Sequence, residues 1–307
     1  MHRSGYERYG LPLCCAALLL SLTGCPAQIR DALTHRPPPT STPPAAGSGG
    51  STPGDPSGPR LPDAPARCPT LATGNVKLHD VTIRLWVGDP QPNRRAPLLV
   101  YWHGTGSSAQ EAQLLGPALE EILAEGGIVA AFEGSTGTGT DTLNGTWASG
   151  DFAVVDELVA CASSQRALDV RRIYTAGCSA GAVQAGALAY ARSSYVAAAM
   201  MNSGGKVRDV ALQDPARVPA AIGAHGARDT DVVIVNFADA TAAYAADLVD
   251  KGGFAVVCGH GGGHCAAPPE LVKAQWEFLK AHPYGVEPEP YAAGLPSGFP
   301  AYCQIAM

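Results

Sequence analysis

Apolar and polar side chains alternate along Val81-Thr82-Ile83-Arg84-Leu85-Trp86-Val87, the period-2 pattern of a strand with one face in the core. The next apolar runs are continuous. Residues 97–102 and 127–132 read as strands buried on both faces. The period then changes. Residues 109–124 carry apolar positions at helical spacing, and 151–162 read as a helix with Asp151 at its N-terminus, where a carboxylate meets the positive end of the helix dipole. A strand over 172–176 runs into a glycine-rich turn and then into a helix of small residues over 180–192. Strands at 196–201 and 218–224 follow, then a helix at 237–251 closed by Gly252-Gly253. A last strand at 254–258 and a last helix at 269–281 complete the pattern. Strands that alternate with helices predict an α/β domain: a mostly parallel, doubly wound sheet with helices on both faces.

The N-terminal segment, residues 1–67, breaks this pattern. Arg3 and Arg8 precede a short apolar stretch over 11–22, too short to span a bilayer and of the kind that opens an export signal. It ends in Leu22-Thr23-Gly24-Cys25, which resembles a bacterial lipobox and implies cleavage before Cys25 and lipid on that cysteine. Pro26 rather than an aspartate follows it, which favours an outer-membrane or surface address. Residues from about 31 to 67 are rich in Pro, Thr, Ser and Gly and lack apolar side chains to bury, so they read as a disordered tether. The organisation expected is a signal over 1–24, a lipidated linker over 25–67 and a catalytic domain over 68–307.

Charge and cysteines narrow the partners. The chain has formal charge −6, and loss of the leader with its two arginines and one glutamate makes it one unit more negative. No Lys/Arg cluster stands out, so a nucleic-acid partner has no electrostatic footprint. Beyond Cys25 six cysteines remain, Cys68, Cys161, Cys178, Cys258, Cys265 and Cys303, an even set that an exported domain can oxidise to three bridges.

The chemistry concentrates in three places. Gly177-Cys178-Ser179-Ala180-Gly181 sits between a strand and a helix, the setting that turns a Gly-x-Ser-x-Gly match into a strained elbow with an exposed serine. Serine needs a base, and the base needs an orienting acid. His264, after three glycines and before the last helix, is the candidate base, with His260 its competitor. Asp229 is the candidate acid, with Asp231 its nearest competitor. The chain order Ser179, Asp229, His264 is that of the α/β-hydrolases. If Ser179 and His264 hydrogen-bond, Cys178 and Cys265 come close enough to bridge. His103-Gly104-Thr105-Gly106 follows the first long buried strand and can aim a backbone N–H at an oxyanion. Thr105, or else Gly104, is the candidate first donor and Ala180 the second. Trp147 and Trp102 are candidates for the cleft wall, Trp102 with core packing as its stronger role. Cys258, His260, His264 and Cys265 do not follow a familiar zinc spacing, and no metal or other cofactor is expected.

At these residues the chain resembles secreted bacterial feruloyl esterases and polyhydroxybutyrate depolymerases. The resemblance covers about residues 98–284 and rests on His103-Gly104-Thr105-Gly106, Gly150-Asp151-Phe152, Arg172-Ile173-Tyr174, the serine turn, His225-Gly226 with Asp229 and Val232, and Gly263-His264. The Cys-Ser, Asp, His-Cys arrangement is also similar to that of tannase-type feruloyl esterases. The resemblance implies Ser179 as nucleophile, Asp229 and His264 as its partners, a Cys178–Cys265 disulfide and an ester substrate, either a hydroxycinnamoyl ester or a polyester. It departs in length, with no stretch long enough for the tannase lid domain. A non-catalytic, ligand-binding lipoprotein on the same fold is the competing class.

Overall fold

The computed structural model describes residues 58–143, 145–228, 230–233 and 235–307. The expected leader, Cys25 and most of the Pro-rich segment lie outside them. Nine strands form one sheet in the order β1-β2-β4-β3-β7-β8-β9-β10-β11. Its centre is parallel: β3 (Ala96–Trp102), β4 (Ile128–Phe132), β7 (Leu168–Cys178), β8 (Ala198–Asn202), β9 (Ala220–His225) and β10 (Ala255–Gly259). Antiparallel strands flank it: β1 (Gly74–Leu78) and β2 (Val81–Val87) on one side, β11 (Cys303–Ile305) on the other. A separate hairpin joins β5 (Asp141–Leu143) to β6 (Trp147–Ala148).

The continuous apolar runs are buried on both faces because both faces are covered. Every residue of β3 is buried. Leu98, Val100 and Trp102 point into one core layer, Leu99 and Tyr101 into the other. The first layer is closed by α2 (Asp151–Gln165), α3 (Ala180–Ala191) and α4 (Phe237–Asp250). The second is closed by α1 (Pro117–Ala124) and α5 (Pro269–Ala281). Nearly every residue of α3 is buried, and its small side chains allow the helix to lie close on the sheet.

Three differences from the sequence reading have local causes. The helix expected over 109–124 is two pieces, a 3-10 segment (Ala109–Leu115) and then α1, broken at Gly116-Pro117. Proline removes an N–H and disfavours α geometry in the residue before it, and Gly116 takes φ 48°. The strand over 255–259 is not the last, since β11 pairs antiparallel with it. The sheet also gains β1, joined to β2 by a two-residue turn with positive φ at His79 and Asp80, the twist-compatible hairpin geometry.

Folded contacts begin before Cys68. The Arg60 N–H donates to Ser194 O at 2.8 Å, its guanidinium pairs with Asp214 at 2.7 Å, and Leu61 packs on the core. Disulfides join Cys68 to Cys161 on α2, and Cys258 to Cys303 directly across the β10–β11 pair. No helix among the described residues is long and apolar enough to cross a membrane.

Asp247 on α4 ties α3 to the loop after β8. It accepts from Tyr190 Oη at 3.0 Å, Lys206 Nζ at 2.7 Å and Lys251 Nζ at 2.8 Å. Burial alone would raise its pKa, but these donors outweigh it and hold the carboxyl down to about 2, below the ordinary 3.8. A depressed folded pKa adds stability above the unfolded value that is lost as pH falls through the folded one. Asp247→Asn is therefore expected to lower stability at pH 7 by on the order of 1 kcal/mol after solvent screening. In urea titrations the wild-type advantage should shrink between about pH 4 and pH 2. An advantage that persists unchanged to pH 2 would contradict this.

Candidate active site

The chain leaves β3 for β4 on one side and returns to β7 on the other, so β3 and β7 are neighbours whose onward connections cross opposite faces. A doubly wound sheet opens a crevice at the carboxyl ends of such a pair. The His103-Gly104-Thr105 turn follows β3, and Cys178-Ser179 ends β7.

The serine turn is a tight elbow. Ser179 takes φ 56°, ψ −125° between strand and helix, and its N–H donates to Asn202 O at 2.9 Å. Glycine is obligatory on both sides. A Cβ on Gly181 would lie 1.9 Å from Trp102 O, and one on Gly177 would lie 2.5 Å from the backbone of Gly181. Approaches of that kind have no room to relax, because each neighbour is backbone, of a strand end for Gly181 and of the first turn of α3 for Gly177.

His264 stands on the loop after β10 with its Nδ1 2.7 Å from Asp231 Oδ1 and its ring tilted against that of Phe237, 4.9 Å between centroids. Asp231 is fully buried. Its second oxygen, Oδ2, accepts from Ser203 Oγ at 2.9 Å and from Gly226 N at 2.7 Å. A carboxylate accepting at Nδ1 places the proton there and leaves Nε2 as the basic nitrogen. The acid bonded to His264 is thus Asp231, the competitor, while the expected Asp229 lies outside the described residues. The cause is the turn itself: the Asp231 N–H closes on Ala227 O at 2.8 Å, which aims the Asp231 carboxylate inward, over the end of β9. His260, the rival base, instead accepts from the Gly262 N–H on its Nδ1 at 3.1 Å. Burial lowers its pKa despite the nearby Asp231.

The Cys178–Cys265 disulfide joins the residue before the serine to the residue after the histidine, with a Cα–Cα distance of 5.7 Å. Cys258 and Cys265, two members of the weighed metal cluster, are therefore both in disulfides. Among the described residues no group of three or more metal-ligating side chains is assembled.

The turn after β3 lies against the elbow, since a Cβ on Gly104 would sit 3.3 Å from the Ser179 Cβ. The Gly104 N–H is taken by the Glu111 carboxylate at 3.1 and 3.3 Å. That removes Gly104 as a free donor. Among the described residues no acceptor is bonded to the N–H of Thr105 or Ala180. Thr105 Oγ1 is 2.6 Å from Thr146 Oγ1. Trp147 does not line the cleft. It is buried, and its Nε1 donates to His103 O at 2.9 Å. Trp102 is core, stacked on Phe132. The hairpin carrying Trp147 is pinned by the buried Asp151, which accepts from Ser135 Oγ, from Thr136 N and Oγ1, and from Ala148 N at 2.7–2.9 Å.

Sequence reasoning missed Ser203, Asn202 and Glu111. The available signal was position: Asn202 and Ser203 close β8 at the same sheet edge as Ser179.

Among solved structures the chain is similar to pOPH, at 17% identity and TM-score 0.60 over 80% of this chain and 97% of that one. A complex of a serine-to-alanine variant of pOPH with pNPB is similar at 17% identity and TM-score 0.61, with the same coverage. The protein sOPH is similar at 15% identity and TM-score 0.59, over 80% of this chain and 96% of that one. No family model and no curated protein matches the chain. Sheet order, crossover helices and these structures together give the α/β-hydrolase fold.

Gly181→Ala should cost more than about 4 kcal/mol or abolish folding, because the added Cβ meets backbone. Gly263→Ala, where a Cβ meets nothing within 4 Å, should stay within about 0.5 kcal/mol. Urea unfolding of the two variants checks the contrast, and similar costs would refute it.

Proposed function

We propose that this chain is an exported serine carboxylic ester hydrolase that works through an acyl-enzyme on Ser179 and prefers hydroxycinnamoyl esters of the feruloyl type. The observation that carries the reading is the 2.7 Å His264–Asp231 bond on a loop that a disulfide locks to the serine elbow. A protein that only binds a ligand has no use for an oriented base tied by a disulfide to a strained serine elbow.

In this mechanism Ser179 Oγ attacks the ester carbonyl carbon while His264 Nε2 takes its proton. The C=O π electrons move to oxygen, and the N–H groups of Thr105 and Ala180 receive the oxyanion, each contributing about 3 kcal/mol. Collapse expels the alcohol, protonated by His264. Water, deprotonated by the same nitrogen, then attacks the acyl-enzyme and releases the acid. Asp231 accepts the His264 Nδ1–H and so holds the imidazole tautomer.

Three disulfides support an oxidising compartment, and the Leu22-Thr23-Gly24-Cys25 box supports lipid on Cys25 as a membrane tether. A second reading, hydrolysis of polyhydroxybutyrate-type polyesters, is favoured by Val232 and Val233. These stand 50% and 62% exposed directly after Asp231, where they offer an apolar lip. The likeness to pOPH, whose solved complex pairs a serine variant with pNPB, supports a serine-centred chemistry under either reading.

The purified protein is to be assayed on methyl ferulate and on a hydroxybutyrate oligomer, with a fluorophosphonate probe for the serine. Wild type should label and prefer ferulate, and Ser179→Ala should do neither. Asp231→Asn should lose on the order of 10³- to 10⁴-fold in kcat/KM and Asp229→Asn only a few-fold. Preference for the oligomer would select the second reading. Silence on both esters with no labelling would leave a non-catalytic binder.

The Cys178–Cys265 bridge is expected to serve geometry more than global stability. Replacing both cysteines with alanine should cut kcat/KM on the order of 100-fold. Replacing Cys68 and Cys161 should instead cost about 2–5 kcal/mol of stability with kcat/KM of the folded fraction little changed. The same pattern of losses from both pairs would show that the active-site bridge has no special role.

A further inference from the structure

The dipeptide Asn202-Ser203 at the end of β8 touches the nucleophile, acid and base segments at once. Asn202 O takes the Ser179 N–H at 2.9 Å. Ser203 is 1% exposed, and its N–H is fixed to Ala224 O at 2.7 Å. Its hydroxyl does two things. It donates to Asp231 Oδ2 at 2.9 Å and accepts the Cys265 N–H at 2.8 Å. A hydroxyl has one proton and two lone pairs, and this one bridges the acid to the residue beside the base. The backbone conformation argues the same way. Ser203 holds φ 49°, a region in which glycine is far more at ease than serine. The side chain is kept where its absence would relax the turn.

We propose that Ser203 is a positioning residue that extends the triad to a four-member chain, Ser179, His264, Asp231 and Ser203, and registers the disulfide loop against the acid. It touches no substrate. The inference rests on the ester-hydrolase reading for its consequence in rate, but the coupling of Ser203 to His264 through Asp231 can be measured without turnover. Without the hydroxyl, Asp231 keeps only the Gly226 N–H and His264, and the Cys265 N–H loses its acceptor. The imidazole then gains freedom to swing, and small misplacements of a base carry large rate losses.

Two variants separate positioning from folding. Ser203→Ala removes the hydroxyl and keeps the positive-φ strain. Ser203→Gly removes the hydroxyl and relieves the strain, so it should unfold at a higher urea concentration than Ser203→Ala. Both should lose roughly ten- to a hundredfold in kcat/KM on whichever ester wild type cleaves. The loss should appear in kcat with KM little changed, since the bonds hold the base and not the substrate. In both, the downfield proton resonance of His264 Nδ1–H should move from its wild-type position. Ser203→Gly with wild-type kcat and an unmoved resonance would overturn the proposal. So would a loss of activity that tracks the urea midpoint, with Ser203→Gly restored and Ser203→Ala impaired. A wild type that cleaves no ester, but whose imidazole resonance still moves in both variants, would sink the ester-hydrolase reading while supporting the Ser203–Asp231–His264 coupling.

Discussion

The buried carboxylate of Asp231 is the constraint on which the site depends. A charge removed from water costs several kcal/mol unless its oxygens are satisfied. Here three donors from three segments do so: Gly226 N after β9, Ser203 Oγ after β8 and His264 Nδ1 after β10. None of them can drift without exposing an unpaired charge to a dry interior. The acid therefore dictates where the ends of three adjacent strands lie, and the histidine's orientation is a consequence of electrostatic satisfaction. Phe237, whose N–H donates to Asp231 O at 3.1 Å and whose ring lies near that of His264, closes the remaining side.

Strain collects at the same place. Six described non-glycine residues have positive φ, and three of them, Ser179, Ser203 and Cys265, belong to this cluster. Such conformations persist only where surrounding contacts over-determine them. Each has its restraint: Asn202 O on the Ser179 N–H, Ala224 O on the Ser203 N–H, and Ser203 Oγ together with the disulfide on Cys265. The disulfide thus acts on residues that are already bent. It joins two strained turns, so that slack in one cannot be taken up by the other.

Much of this was legible from the chain. Continuous apolar runs marked β3 and β4 because both faces of a parallel sheet are covered, and the serine elbow was legible because strand, glycines and helix occur in sequence. The edges were less so. Strand β1 turns on His79-Asp80 rather than on Asn-Gly or Asp-Gly, and β11 has three residues, too few for a period to show. Asp229 and Asp231 differ by two positions on a loop, where no periodicity tells which carboxylate meets the base; Asp231 is the one bonded to His264, and Asp229 lies outside the described residues. Trp147 read as cleft wall because an aromatic near a catalytic turn often is one. In the fold its indole N–H is needed to hold His103 O. Ser203 had no local signature, since its partners are 28 and 62 residues away in the chain.

On the side of Thr105, the donor we propose for the oxyanion, the neighbouring Glu111 carboxylate is screened by hydrogen bonds. Glu111 lies one residue from Thr105 in hydrogen-bond terms, and a free carboxylate there would repel an oxyanion. Its oxygens are instead occupied by the Gly104 N–H and, at 3.2 Å, by the Tyr101 hydroxyl. Burial first, and then Glu111 itself, push the Tyr101 pKa well up, so that the phenol remains a donor. The carboxylate accepts from groups at the end of β3, and among the described residues no acceptor is bonded to the Thr105 N–H that follows. With Trp147 holding His103 O and Thr146 beside the Thr105 hydroxyl, the turn is fixed by groups that lie outside the triad. A donor set in advance costs no reorganisation when charge appears, which is the condition under which a single N–H contributes most to lowering a barrier.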